Sequence, residues 1–466
     1  MEQKAPGPVR AVFGNPVSAA VYRRAAGEKA RLARKYGLEA EGTAVLSACP
    51  APLAEVAQLC PCAEGDPAPA DDALGLVVAG ASGDMDSVRD ALAMLSCARA
   101  LGYRPWWLDL CAPAESGQGR LMAERFAASR PAAERARLET NALDCAVSEL
   151  SAPLFRGLPS RLPLLATHAW AAQAALSGGM KFVLNAVPGC LPLAEDLAEG
   201  SLHTVQTHAA YHGYRTLEGL GGPLPLRPMP QHSIACTGHY VPAELLRGIA
   251  EDCAARTDRK MRGGPLRLLL TADAARKDTV AAVVQRLRPA LQRREVLLCL
   301  DLGADDGLWD WLCGEVRGLR GASRTHEGLD AASAFRAAPE GPALVNAFWQ
   351  SDALSAAAAT NELIRWADVL ATAPNALAFY PVPKLLLPAL NPWEARNALH
   401  AAESGDSTPA CPDIAHTFQR LGLFLDEDTC LMDMLENIVK NQINGLYDGG
   451  SWAVRLAMGM RQEETA

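Results

Sequence analysis

Short apolar runs rich in Val and Leu alternate with helix-length amphipathic segments along this chain, and the alternation runs through twice. A short run that is apolar at every position must be covered on both faces. The pattern therefore predicts parallel strands joined by crossover helices. In the first series strands are expected at 9–13, 43–47, 74–79, 104–110, 164–167, 181–186, 204–207 and 233–237. A long polar helix from Ala243 to about Arg262 follows and ends at Gly263-Gly264-Pro265, the strongest punctuation in the chain. The second series then places strands at 266–271, 296–302, 344–348, 368–372 and 384–390, with helices at 279–292, 353–366 and 393–403. A length of 466 residues suits two or three domains. The expected class is α/β, with two Rossmann-like domains facing each other across a cleft and a C-terminal helix. The domains are expected at 1–240 and 265–425, with a linker helix at 241–264 and a helical tail at 426–466.

Composition narrows the function classes. With 49% hydrophobic and 21% charged residues, the chain has the profile of a globular protein. A net charge of −9 argues against a nucleic-acid binder. No stretch approaches the ~18 apolar residues that cross a bilayer, and the first residues lack a signal-like apolar core, so a cytoplasmic location is expected. Thirteen cysteines, mostly inside apolar runs, read as reduced and buried. Cys60-Pro61-Cys62 with Cys49 lacks the second pair that a tetrahedral zinc site requires, and no metal is expected. One segment, 22–37, gathers Arg23, Arg24, Lys29, Arg31, Arg34 and Lys35 against Glu28. It is either a solvated helix face or a peripheral contact with the inner face of a membrane.

Chemistry concentrates in three places. At Gly80-Ala81-Ser82-Gly83-Asp84-Met85-Asp86 a strand turns into a helix through small residues, where a ligand can approach free backbone N–H groups. Asp84 and Asp86 there either cap the helix or supply a general base. Six of the nine histidines lie between His168 and His239, none with helical metal spacing. His168 and His239 each follow a strand, which places them at the ligand-binding edge of an α/β domain. The third place is 365–406, where Asn391, Glu394 and Asn397 are spaced i, i+3, i+6 at a helix start. They either cap that helix or bind a sugar or ribose.

At these residues the chain resembles the GT-B glycosyltransferases of the MurG and monogalactosyldiacylglycerol synthase type. The resemblance rests on the turn between Val77 and Leu92, on Thr237-Gly238-His239-Tyr240 before the linker, and on the segment Ala367 to Asn375 followed by Asn397-Ala398. It implies a metal-independent enzyme whose C-terminal domain holds a UDP-sugar, a substrate rather than a cofactor. The acceptor, which in that family is often lipid-linked, goes to the N-terminal domain. Asp84 or Asp86 would be the base, and Thr271, Thr372, Asn375, Phe379, Glu394 and Asn397 would contact the donor. From their places at strand ends and helix starts, His168 is a further catalytic candidate and Ser82, Gly83, His239 and Asn391 are further binding candidates. Two alternatives stand beside transfer: a catalytically silent binding protein, and nucleotide-sugar epimerisation. The first turn of the second series departs from the family. It reads Thr271-Ala272-Asp273-Ala274-Ala275, with a carboxylate where glycines usually cradle a diphosphate. A working site requires Asp273 to point away or to pair with Arg276 or Lys277.

Overall fold

A computed structural model describes residues 11–38, 47–48, 74–112, 114–128, 130, 132–222, 225–338, 343–426 and 428–463. The Cys49 and Cys60-Pro61-Cys62 positions lie outside these residues, as do 9–10 and 43–46 of the first two expected strands. The chain forms two compact units, the first reaching Tyr240 and taking up the chain again at Gly449, the second spanning Val241–Asp448. Each is a Rossmann-like α/β sheet, the class that the alternation predicts. Among the described residues no helix is long and apolar enough to cross a membrane.

In the first unit six parallel strands lie in the order Arg104–Asp109, Gly75–Gly80, Leu164–Ala166, Val183–Ala186, Leu202–Val205 and Ile234–Cys236. The short strand Ser47–Ala48 adds antiparallel beside Arg104–Asp109. Helix Met85–Ala100 is buried on nearly every side, since it lies against the sheet and also against helix Gly449–Glu463 at the far end of the sequence. The expected single tail is in fact two helices, Asp428–Ile443 in the second unit and Gly449–Glu463 in the first. The join admits no side chain at its start: a Cβ on Gly449 would stand 2.0 Å from the Gly238 carbonyl oxygen.

The basic segment forms helix Ala19–Tyr36, which buries Val21, Ala25 and Leu32. Several of its cations are paired with acids at the surface. Lys29 pairs with Glu149, Lys35 with Glu124, and Arg31 with Glu28 at 2.6 Å.

In the second unit all six strands are parallel, ordered Ser323–Glu327, Val345–Trp349, Val296–Asp301, Leu266–Thr271, Val369–Thr372 and Lys384–Leu386. Strand Ser323–Glu327 carries no apolar run; it occupies the sheet edge, where polar residues are tolerated. A buried ionic cluster braces the opposite edge. Lys384, fully buried, pairs with Asp406 at 2.9 Å and donates to the Tyr380 carbonyl at 2.7 Å, while Tyr447 Oη donates to the same Asp406 at 2.6 Å.

Candidate active site

Open parallel sheets bind ligands at the carboxyl ends of strands, where the direction of winding reverses. In the second unit that reversal falls between Leu266–Thr271 and Val369–Thr372. Two of the sequence-selected residues meet there: Thr271 Oγ1 donates to Thr372 Oγ1 at 2.8 Å. The following turn is organised by its carboxylate. Asp273 caps the short helix Ala274–Arg276, accepting from the Arg276 N–H at 2.9 Å, and pairs with the Arg276 guanidinium at 3.0 Å. Of the arrangements that a working site requires, the chain adopts pairing with Arg276.

Arg276 is itself buried and bridges Asp273 to Glu394. Glu394 also accepts from the Leu390 N–H at 2.7 Å, and Asn391 caps the helix Pro392–Glu403 by accepting from the Glu394 N–H at 2.9 Å. Asn397 is fully buried and donates to the Pro374 carbonyl at 3.2 Å. Asn375 caps the turn Ala376–Phe379 through the Leu377 N–H at 3.0 Å, and Phe379 is buried with its ring 5.9 Å from His400. Each of these polar residues thus serves the fold at the same edge where a donor would bind. The Asp273–Arg276–Glu394 bridge joins the first turn of the unit to its last strand-to-helix loop. Sequence spacing shows the first pair, three residues apart, but not the second, 118 residues apart.

In the first unit the reversal falls between Gly75–Gly80 and Leu164–Ala166. The strands meet tightly there. A Cβ on Gly80 would lie 2.5 Å from Thr167 Oγ1 and 2.8 Å from Ser87 Oγ, and one on Gly83 would lie 2.6 Å from the Phe126 ring. The Ser82 N–H donates to Asp109 at 2.9 Å, which fixes the turn. Asp84 caps helix Met85–Ala100 by accepting from the Asp86 N–H at 3.1 Å. Burial, reinforced by the charge of Asp86, pushes its carboxyl up to about 7. Asp86 pairs with Arg89 at 3.3 Å. The two aspartates therefore differ: one sits close to neutrality, the other beside a cation.

His168 caps the next helix, Ala169–Ser177, with Nδ1 accepting from the Trp170 N–H at 3.1 Å. Its ring lies 5.5 Å from Phe126 and 4.5 Å from Trp170, and burial together with the Arg125 charge lowers its pKa to about 3. A histidine so held is neutral near pH 7 and a weak base. His239 is almost fully buried beneath the start of helix Gly449–Glu463. Sequence reasoning passes over Arg135 and Glu195. They form an ion pair, the Arg135 charge acts on Asp84, and burial beside Asp196 raises Glu195 to about 7. No periodic pattern marks either residue. Among the described residues no group of His, Cys, Asp or Glu has metal-holding geometry.

No curated protein matches the sequence. Several solved structures are similar in fold at low identity. The UDP-GlcNAc 2-epimerase from Neisseria meningitidis bound to UDP-GlcNAc is 11% identical, with a TM-score of 0.48 over 82% of this chain and 98% of that one. The alpha,alpha-trehalose 6-phosphate synthase from Burkholderia multivorans is 11% identical, with a TM-score of 0.42 over 84% and 99%. The glycosyltransferase SnogD from Streptomyces nogalater is 12% identical, with a TM-score of 0.39 over 83% and 99%. Two family models match the sequence itself, each described as a domain of unknown function: DUF6937 over residues 11–129 and 129–216, and DUF6938 over residues 229–458.

Proposed function

We propose that this chain is a GT-B-type enzyme that transfers a sugar from a UDP donor to an acceptor hydroxyl, resembling the MurG and monogalactosyldiacylglycerol synthase group. The observation that carries the reading is the pair Thr271 and Thr372, hydroxyl to hydroxyl at 2.8 Å, at the winding reversal of the second unit. In this proposal the second unit holds the nucleotide there. Arg276 is held between Asp273 and Glu394, so it offsets part of their charge and lessens the repulsion that the turn offers a diphosphate. In the transfer step the acceptor oxygen forms the new bond to the anomeric carbon while the bond to UDP breaks and UDP leaves with the electron pair. Asp84 takes the acceptor proton. A carboxyl held near 7 suits that role, because general bases work best with a pKa close to the working pH.

A second reading has its own support. Arg276, Glu394, Asn391, Asn397 and Asn375 all make internal bonds, as in a relative that keeps the fold and no longer handles the donor. Titration calorimetry with UDP separates the two. Transfer predicts saturable UDP binding that Asp273→Gly leaves nearly unchanged. The silent reading predicts no binding by the wild type and some gained on Asp273→Gly. Tight wild-type binding lost on Asp273→Gly refutes both, since Asp273 would then touch the nucleotide. If UDP binds, product analysis with a UDP-sugar and no acceptor tests the epimerase alternative: an altered sugar replaces transfer by epimerisation.

A further inference from the structure

At the opposite end of the same sheet a cavity of about 630 Å³ opens in the second unit, a size that suits a small-molecule ligand. Its walls come from the amino ends of strands Leu266–Thr271, Val296–Asp301 and Val369–Thr372. The strand Leu266–Thr271 separates it from the Thr271/Thr372 pair by about 16 Å at the usual rise per residue. Four cations, Arg259, Lys260, Arg293 and Arg294, and two carboxylates, Glu295 and Asp368, line it.

The carboxylates are engaged. Asp368 Oδ1 accepts from Arg259 Nε and Nη2 at 2.9 and 2.6 Å, and its other oxygen accepts from the Arg267 N–H at 2.9 Å. Glu295 accepts two bonds from Arg293 at 2.7 and 2.8 Å. Lys260 donates to the Phe424 and Leu425 carbonyls at 3.0 and 3.2 Å. The acids thus orient two guanidinium groups and leave the cavity with an excess of positive charge. Arg294 stands apart. It sits exposed at φ +57°, just past the end of helix Lys277–Gln292, in the left-handed position that usually goes to glycine. Its N–H bonds the Leu291 carbonyl at 3.0 Å, so the turn requires the backbone conformation and not the guanidinium. A left-handed position that glycine would hold without strain is here occupied by an arginine on the wall of a cationic cavity.

We infer that this cavity is a second ligand site, separate from the carboxyl-end site, for the phosphate groups of a small phosphorylated molecule. An excess of positive charge attracts phosphate oxygens, and a partly enclosed cavity strengthens the attraction over that at an open surface. The inference is independent of the proposed transfer activity.

The test is calorimetric titration of the full chain with sodium tripolyphosphate at physiological ionic strength, using wild type, Arg294→Gly and Arg294→Lys. Glycine suits the left-handed backbone, so Arg294→Gly is expected to melt no lower than wild type while its Kd rises threefold or more. Arg294→Lys should hold the wild-type affinity within threefold. UDP titrated into Arg294→Gly should behave as with wild type. The inference is overturned if wild type gives no saturable heat, if Arg294→Gly shifts the Kd less than threefold, or if Arg294→Lys weakens binding as much as glycine does. It is also overturned if citrate at matched ionic strength binds as tightly, which would mark a general counter-ion surface, or if Arg294→Gly removes UDP and tripolyphosphate binding together.

Discussion

Asp84→Asn keeps the side-chain oxygen that accepts the Asp86 N–H and removes only the ionisation. In the folded protein the Asp84 carboxyl is raised to about 7, against an ordinary value of 3.8. Below pH 4 it is protonated folded and unfolded alike, and charge contributes nothing. Between about 4 and 7 the folded chain holds the proton that the unfolded chain has released, so stability falls as pH rises, and the loss is complete above 7. The asparagine variant escapes this loss. Linkage makes its advantage over wild type grow with pH, from about 2 kcal/mol at pH 5 to about 4 kcal/mol at pH 8. His168 and His203, held low by burial, titrate in the opposite sense but are common to both proteins. The assay is amide hydrogen exchange in strand Gly75–Gly80, which reads the opening of the first unit directly. Protection in the variant should exceed wild type by roughly twentyfold at pH 5 and roughly a thousandfold at pH 8. An advantage that stays constant between the two pH values, or reverses, refutes a raised Asp84 carboxyl and with it the case for Asp84 as base.

Three further outcomes are expected. Asp406→Ala strands the buried Lys384 ammonium and should lower stability by about 3–5 kcal/mol in thermal unfolding, whereas Lys384→Met with Asp406→Leu and Tyr447→Phe, which removes the hydroxyl that Asp406 accepts from, should cost much less. In Gly449→Ala the added Cβ would stand 2.0 Å from the Gly238 carbonyl oxygen, so limited proteolysis should cut within 449–463 sooner than in wild type; an unchanged digest would show that the helix start shifts freely. Flotation with anionic and neutral vesicles should recover equal protein, because Lys29, Arg31 and Lys35 are already paired with carboxylates. Preferential recovery on anionic vesicles, abolished by charge reversal at Arg23 and Arg24, would establish membrane docking.

The central strands were legible because burial on both faces writes a run of apolar residues, as in Leu268-Leu269-Leu270 and Gly75–Gly80. Strand Ser323–Glu327 was not, since an edge strand can be polar throughout. The turn at Gly80–Asp86 was readable from its small residues, and the close approaches of Gly80 and Gly83 give the steric reason for them. Long-range electrostatics left no local trace. Nothing in the spacing joins Arg276 to Glu394, or Arg135 to Asp84, because the sheet topology and not the sequence interval brings them together. The expected tail divided for a similar reason. An apolar stripe says that a helix packs, but not which sheet it packs on.

That division has a consequence for how the protein is made. Helix Gly449–Glu463 packs on Met85–Ala100 and on the ends of two strands of the first unit, so part of that unit's core is encoded after the whole of the second. During synthesis the second unit emerges complete while the first still waits for its final helix. The order of folding on the ribosome should therefore invert the order of the sequence. Until residues 449–463 leave the exit tunnel, helix Met85–Ala100 lacks that cover, and a nascent chain arrested before that point should expose residues that are buried in the finished fold.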